Sequence, residues 1–314
     1  MSVLAREELQ RYSLGRPTAV TIGNFDGVHL GHQHLVRFVI ERAKTLGLAS
    51  GVVTLYPDPV RVLRPDEPMP YLTSLEERLE LLKALGLEVV APLTFTSELA
   101  ELSPREFVTM LRDDFGMRLL IMGPDNAFGR NREATPEKVA LLGEELGFTV
   151  EVLPKPLVEA DHAVSASAIR AALAAGDLET VYQQLGRHYS LRGPVVHGAE
   201  RGRQMGFPTA NVGVTADRAL PALGIYATIA HLGENAYPSA TSVGTNPTFG
   251  QAPRTVETYI MDFDRDIYER TMRVEFVSRL RDEKAFEGME ALKAQIAQDV
   301  EDARRILASR SLRG

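Results

Sequence analysis

The stretch Thr21-Ile-Gly-Asn-Phe-Asp-Gly-Val-His-Leu-Gly-His-Gln-His34 decides how the first half of the chain is read. It continues an apolar run, Ala19 to Ile22, turns through Gly23, Gly27 and Gly31, and enters a helix pattern. A strand that feeds a helix through a glycine-rich turn gathers backbone N–H groups and the positive end of the helix dipole, which suits a phosphate. His29 and His32 stand at that turn, where imidazoles can stabilise charge on a phosphate during transfer. Histidines at a helix start also serve as plain caps, and no third metal ligand lies nearby in sequence. The strand–turn–helix context is what gives the pair its weight.

From this stretch to about residue 185, short apolar runs alternate with helix patterns. Strands are expected at Ala19–Gly23, Ala49–Leu55, Glu88–Leu93, Arg118–Met122 and Thr149–Leu153. Helix starts are marked by Ser74 with Glu77, by Ser103-Pro104-Arg105-Glu106 and by Thr135-Pro136-Glu137. Such alternation predicts a parallel sheet covered on both faces, with ligands beyond the strand C-termini. Gly123-Pro-Asp125 follows the fourth strand, so Asp125 is a candidate to hold a ribose or adenine group, or a simple turn residue. Ser165-Ala-Ser167-Ala-Ile-Arg170 opens a helix after the fifth. Its serines fit N-caps, yet Ser165 and a forked contact from Arg170 also suit phosphate. Pro57–Pro70 reads as an ordered loop near the site or a flap.

Past residue 190 strand-like runs follow one another: Gly193–His197, Ala210–Val214, Ile225–His231, Ala240–Val243, Val256–Phe263 and Thr271–Phe276. This spacing predicts an antiparallel barrel or sandwich, closed by a helix over Glu287–Leu307. The boundary is expected near residue 186, giving domains 1–186 and 187–314. In Gly198-Ala-Glu-Arg-Gly202-Arg203-Gln-Met-Gly206-Phe-Pro-Thr209-Ala-Asn211 the glycines can turn N–H groups around a phosphate, or form a plain hairpin. Thr209 and Asn211 alternate along a strand, so both face one way with neutral oxygens suited to Mg²⁺ carried by ATP. Glu257 shares a strand face with Tyr259 and Met261, which makes it a candidate general base. Arg279, Arg281, Asp282 and Glu283 form a charge run that reads by default as solvated.

The 314 residues include 35 basic and 42 acidic ones, a net charge of −7, and no cysteine. Disulfides, thiolate catalysis and Cys-ligated zinc are excluded, and bulk nucleic-acid binding lacks a basic face. No apolar run approaches a membrane span, and the first residues lack the core of a signal peptide. A cytoplasmic protein is expected; the oligomeric state is left open.

Taken together, the motifs resemble those of the bifunctional prokaryotic riboflavin kinase/FMN adenylyltransferases, the FAD synthetases. The resemblance spans about residues 15 to 307. Its carriers are Gly23-Asn-Phe-Asp-Gly-Val-His-Leu-Gly-His32, Val164-Ser-Ala-Ser-Ala-Ile-Arg170 and Gly202-Arg-Gln-Met-Gly-Phe-Pro-Thr-Ala-Asn211. Val243-Gly-Thr-Asn-Pro-Thr-Phe249, Val256-Glu-Thr-Tyr-Ile-Met-Asp-Phe263 and Arg279-Leu-Arg-Asp-Glu-Lys-Ala-Phe286 complete the series, in the family's order. It implies a Rossmann-like nucleotidyltransferase domain followed by an antiparallel riboflavin kinase barrel with a C-terminal helix. The partners implied are riboflavin, FMN, FAD and Mg²⁺-ATP, with no nucleic acid and no membrane.

In the first domain the resemblance gives His29 and His32 the α-phosphate transition state, and places Gly23, Asn24, Phe25, Asp125, Ser165 and Arg170 around ATP. In the second it gives Gly198, Gly202, Arg203, Gly206 and Thr209 to ATP, Thr209 and Asn211 to Mg²⁺, Glu257 to the ribityl hydroxyl proton, and Arg281 and Glu283 to the flavin. The family's Gly-x-Asp-Phe-x-Phe-Gly-x-x-Arg-x-Gly-Asp reads here Gly123-Pro-Asp-Asn-Ala-Phe-Gly-Arg-Asn-Arg-Glu-Ala134, and Ser-Ser-Thr reads Ser165-Ala166-Ser167. An active adenylyltransferase is expected, with these changes bearing on its flavin side. The competing readings are a kinase with a degenerate first domain, another nucleotidyltransferase, which leaves the barrel motifs unexplained, and a flavin carrier without turnover.

Overall fold

The computed structural model describes residues 3–67, 69–124, 126–130, 133–154, 164–198, 202, 205–245 and 254–311. The chain divides into two compact units, Met1–Ala166 and Ser167–Gly314.

The first unit holds a parallel sheet of five strands: β1 (Thr18–Gly23), β2 (Ala49–Tyr56), β3 (Val89–Thr94), β4 (Met117–Met122) and β5 (Thr149–Val152), in the order β3-β2-β1-β4-β5. Alternate residues of these strands feed two separate cores. Val20, Ile22, Val53 and Leu93 pack on one face with Leu9 of α1 (Val3–Tyr12) and with Phe107 and Leu111 of α6 (Pro104–Asp114). Ala19, Val52, Val90 and Ile121 pack on the other with Val36 and Val39 of α2 (Leu30–Leu46) and Leu82 of α4 (Leu75–Ala84). Burial on both faces explains why the strands read as apolar runs. The capping boxes at Ser74/Glu77 and Ser103/Glu106 are both formed. Thr135 precedes α7 (Pro136–Leu146) without a side-chain cap bond, and Pro136 and Glu137 stand in its first turn.

β1 pairs with β2 on one side and β4 on the other. The strand order reverses there, so a crevice opens beyond the C-terminal end of β1. The segment after Pro57 holds the short helix α3 (Pro59–Leu63), capped by Asp58. α5 (Ser97–Ala100) follows β3.

In the second unit α8 (Ala166–Ala175) and α9 (Leu178–Leu185) are separated by Gly176-Asp177, and Asp177 caps α9 through the Thr180 N–H. Leu178, Val181 and Leu185 are buried, and α9 packs against β6 (Tyr189–Val196) and β11 (Thr271–Arg281). With β7 (Thr209–Val212), β8 (Gly224–Leu232), β9 (Asn235–Thr245) and β10 (Arg254–Ile260) these strands close a barrel in the order β10-β7-β6-β11-β8-β9. The antiparallel strands begin at Tyr189, and α8 and α9 fold with the barrel in the second unit. Four buried hydroxyls, Ser239, Thr228, Thr241 and Thr258, bond to one another in a chain at 2.8, 2.7 and 3.0 Å, which satisfies polar groups that burial would otherwise penalise. The C-terminal helix α10 (Met289–Ser311) lays Ile296, Val300, Ala303 and Leu307 on the outside of the barrel, against Ala227, Ala240 and Tyr259.

Candidate active sites

The turn after β1 has an uncommon backbone. Phe25, Gly27 and Val28 take φ of 53°, 76° and 41°. A positive φ is strained for a β-branched residue, and such strain collects at functional sites. Here it is held by a buried hub. The Asp26 carboxylate accepts from the Leu72 and Thr73 N–H groups at 3.0–3.1 Å and from the Thr73 hydroxyl. The Gly27 N–H donates to that same hydroxyl oxygen. Arg78 of α4, fully buried, donates to the Asn24 carbonyl at 2.7 Å, to the Leu55 carbonyl at 3.4 Å and to Asp26 at 3.4 Å. Asn24 donates its amide to Asp58 at 2.7 Å.

His29 is the N-cap of α2. Its Nδ1 accepts from the His32 N–H at 3.3 Å, so a neutral His29 carries its proton on Nε2. The cap and the candidate site residue are therefore the same. The two rings stack with centroids 3.6 Å apart, and the Phe25 ring lies 5.0 Å from that of His32. Burial, then His29, then Arg78 push the His32 imidazole well below its ordinary value. Its Nδ1 is buried with no hydrogen-bond partner among the described residues.

Next to this turn lies a cavity of about 840 Å³, lined by Gly23, Asn24, Asp58, Arg64, Asn126 and Arg130 among others, with apolar walls from Ile22, Leu55 and Phe95. Of the departures from the family pattern, Asn126 lies on this wall, whereas Ala134 is fully buried in the core, where its N–H donates to the Phe128 carbonyl. Asp125 falls outside the described residues. Ser165 directly precedes α8, at the end of the first unit, and Arg170 lies on α8, within the second.

In the barrel, register builds the second site. β10 pairs with β7 so that Glu257 faces Asn211 and Tyr259 faces Thr209. Cross-strand partners share a sheet face, so the expected alternation of Thr209 and Asn211 puts both beside Glu257. The Thr209 hydroxyl lies 3.4 Å from the Glu257 carboxylate. Gly202 and Gly206 bracket the preceding turn, in which the Gly202 carbonyl accepts from the Met205 and Phe207 N–H groups at 3.0 and 2.9 Å. A Cβ on Gly198 would collide with the Asn211 amide. Arg203 falls outside the described residues.

Thr209 lines two cavities. The larger, about 950 Å³, holds Glu257, Ser242, Tyr259, Arg281, Glu283 and Phe286 and is walled by α10. The smaller, about 450 Å³, is lined by Ile260, Phe263, Ile267 and Tyr268; the Tyr268 ring stacks on His197 at 3.9 Å. Arg281 is not solvated as its charge run suggested. It binds Asp299 of α10 through two bonds, 2.8 and 2.6 Å. Asp282 and Glu283 precede α10 by several residues and do not form its first turn.

Asp58, Arg78 and Asp299 lie outside the motifs, and Asp26 lies inside the turn motif without a role assigned to it there. Two of them leave a signal nonetheless. Arg78 sits at helical spacing with Leu75 and Leu82, and Asp299 with Ile296 and Ala303. A charged residue on the core stripe of a helix has a buried partner to find.

The family model for riboflavin kinase matches residues 185–307, and the model for FAD synthetase matches residues 13–168. The bifunctional riboflavin kinase/FMN adenylyltransferase of Bacillus subtilis (strain 168) is 33% identical over 297 residues, 93% of this chain and 93% of the relative. The Pseudomonas fluorescens protein of that name is 37% identical over 296 residues, 93% and 94% of the two chains. That of Escherichia coli (strain K12) is 34% identical over 287 residues, 91% of each. A solved chain described as a macrolide-efflux protein from Streptococcus pneumoniae superposes with a TM-score of 0.86 at 30% identity, covering 97% of this chain and 98% of that one. No helix among the described residues here is long and apolar enough to cross a membrane. Two matched domains and relatives aligned over nearly their whole length place the chain in the bifunctional riboflavin kinase/FMN adenylyltransferase family.

Proposed function

We propose that this chain phosphorylates riboflavin to FMN in the barrel and adenylylates FMN to FAD at the sheet, each step using ATP. The observation that carries the reading is the pairing of two unlike phosphate sites in one polypeptide: stacked His29 and His32 at a sheet switch point, and Thr209, Asn211 and Glu257 on one strand face. Phosphoryl and nucleotidyl transfer depend on positioning and charge stabilisation, and both sites supply these without a covalent nucleophile.

In the barrel, the larger cavity takes the flavin. Its aromatic walls, Phe207, Tyr259 and Phe286, match a flat ring system, and Arg281 and Glu283 stand beside them. ATP takes the smaller cavity, its phosphates reaching Thr209 past the Gly198–Gly206 turn. The ribityl 5′-hydroxyl oxygen attacks the γ-phosphorus, Glu257 takes the hydroxyl proton and ADP leaves. Thr209 and Asn211 offer hard oxygens, and bare Gly198 leaves room beside the Asn211 amide; these residues fit Mg²⁺, which would neutralise phosphate charge when bound with ATP.

At the sheet, a phosphate oxygen of FMN attacks the α-phosphorus of ATP and pyrophosphate leaves. His29 and His32 stabilise the charge that develops, and Asn24 and the strained turn fix where it forms. The flavin lies in the cavity lined by Asn126 and Arg130, so the Asn126 departure tunes flavin affinity there. A cytoplasmic setting fits a chain without cysteine. Riboflavin with Mg²⁺-ATP, its products separated over time, tests the whole reading: ADP with FMN, then pyrophosphate with FAD, are expected. FMN without FAD would leave the kinase alone, and neither product would end the proposal.

A further inference from the structure

The larger barrel cavity carries a charge pattern that bears on which flavin it holds. Its charged lining among the described residues is Glu257, Glu283, Asp299, Arg281 and Lys284, three carboxylates against two cations, a net of −1. Riboflavin is uncharged; its phosphate carries about −1.5 to −2. A free arginine fork in this cavity would hold that phosphate through two parallel bonds. Arg281 is not free. Asp299 takes its Nε and Nη2 edge, and the Asp282 carbonyl accepts from Nη1 at 2.9 Å.

Asp299 is itself fixed. It is 5% exposed, accepts from the Gln295 amide at 2.9 Å, and rides on a helix stripe, Ile296 to Leu307, packed against the barrel. Gln295 in turn accepts from Lys284 at 2.6 Å, and the Arg281 and Lys284 cations lie 5.8 and 5.1 Å from the Phe286 ring. The segment from Arg281 to Phe286 is thus tied to α10 at two points, and both of its cations are engaged within the protein.

We infer that Asp299 is a specificity-determining residue: by occupying the Arg281 fork it makes the kinase cavity favour the uncharged flavin over the phosphorylated product. This rests on the proposed kinase reading and adds to it the discrimination between substrate and product. Counting ADP release isolates kinase turnover, because adenylyl transfer releases pyrophosphate instead. FMN is added as inhibitor, initial rates are taken before adenylyl transfer consumes it, and the ratio of its Ki to the KM for riboflavin is the readout. In Asp299→Asn that ratio should fall about tenfold, as an unpaired guanidinium gains the phosphate. Asp299→Glu, which keeps the charge, should hold the ratio near that of the unaltered chain, and Arg281→Gln should raise it. A ratio unmoved by Asp299→Asn, or both constants rising together as in simple loss of structure, would overturn the inference. If Asp299→Asn does not fold, an Arg281→Gln ratio that stays level or falls overturns it as well. An unaltered chain that releases no ADP with riboflavin defeats the kinase reading and this inference with it. ADP release with an unmoved ratio defeats this inference alone.

Discussion

In the sheet unit the candidate groups sit on a turn; in the barrel they sit on strands. The turn from Gly23 to His29 needs three residues at positive φ and a buried Arg78–Asp26 hub to hold its shape. The barrel needs no such support. Hydrogen-bonded register alone sets Asn211 opposite Glu257, and a slip of β7 by one residue would turn Asn211 and Thr209 to the other face. One site is therefore exposed to loss of buried polar contacts, the other to loss of strand pairing. The difference teaches where each half is vulnerable, and because both activities belong to one chain, each serves as an internal control for the other.

The largest effect should come from the histidines. Replacing His29 and His32 together by alanine is expected to lower FAD formation about 10³-fold while riboflavin-dependent ADP release stays level; parallel loss of both would show that the two sites are not separable. Glu257→Gln should do the converse, lowering FMN formation about 10²-fold and leaving FAD formation from supplied FMN intact. A Glu257→Gln enzyme with normal FMN output would remove the base from the barrel site.

Next comes the hub. Arg78→Met strands the Asp26 carboxylate in the interior, and breaking such a pair costs about 3 kcal/mol. Urea unfolding should show that loss in the transition of the sheet unit, with kinase output retained at low urea. An unchanged midpoint would mean that Leu72 and Thr73 suffice to hold Asp26. The smallest effect concerns pH. His32 is held well below its ordinary value of 6.5, so the unfolded chain binds a proton there before the folded chain does. Stability should then be full above about pH 6.5 and decline as pH falls below it, and His32→Asn should flatten the decline. Equal slopes for both chains would show that His32 protonates as easily folded as unfolded.

Much of this architecture was legible from local pattern. All five sheet strands and all six barrel strands lie where alternation and turn residues put them, because apolar period and glycine placement act over a few residues. β6, β9 and β11 run longer than expected, β6 beginning at Tyr189 rather than Gly193, and β10 ends at Ile260 rather than Phe263. Asn235–Ser239 and Ser278–Arg281 pair through their backbones without an apolar rhythm to announce it. The histidines, Thr209, Asn211 and Glu257 stand out as candidates for the same local reason. Asp26 was not: its partners Leu72, Thr73 and Arg78 lie 46, 47 and 52 residues away, and only the folded sheet brings them together. The partner of Arg281 was not legible, because Asp299 comes 18 positions later on another element.

Thr209 belongs to the lining of both barrel chambers, so one hydroxyl side chain borders both. A single compound built to plug both at once, adenosine at one end and isoalloxazine at the other, would have to run its tether past that hydroxyl. Bulk added midway along such a tether would press on Thr209 and through it on Glu257. The width of the linker, more than the fit of its two heads, would set how tightly such an inhibitor is held.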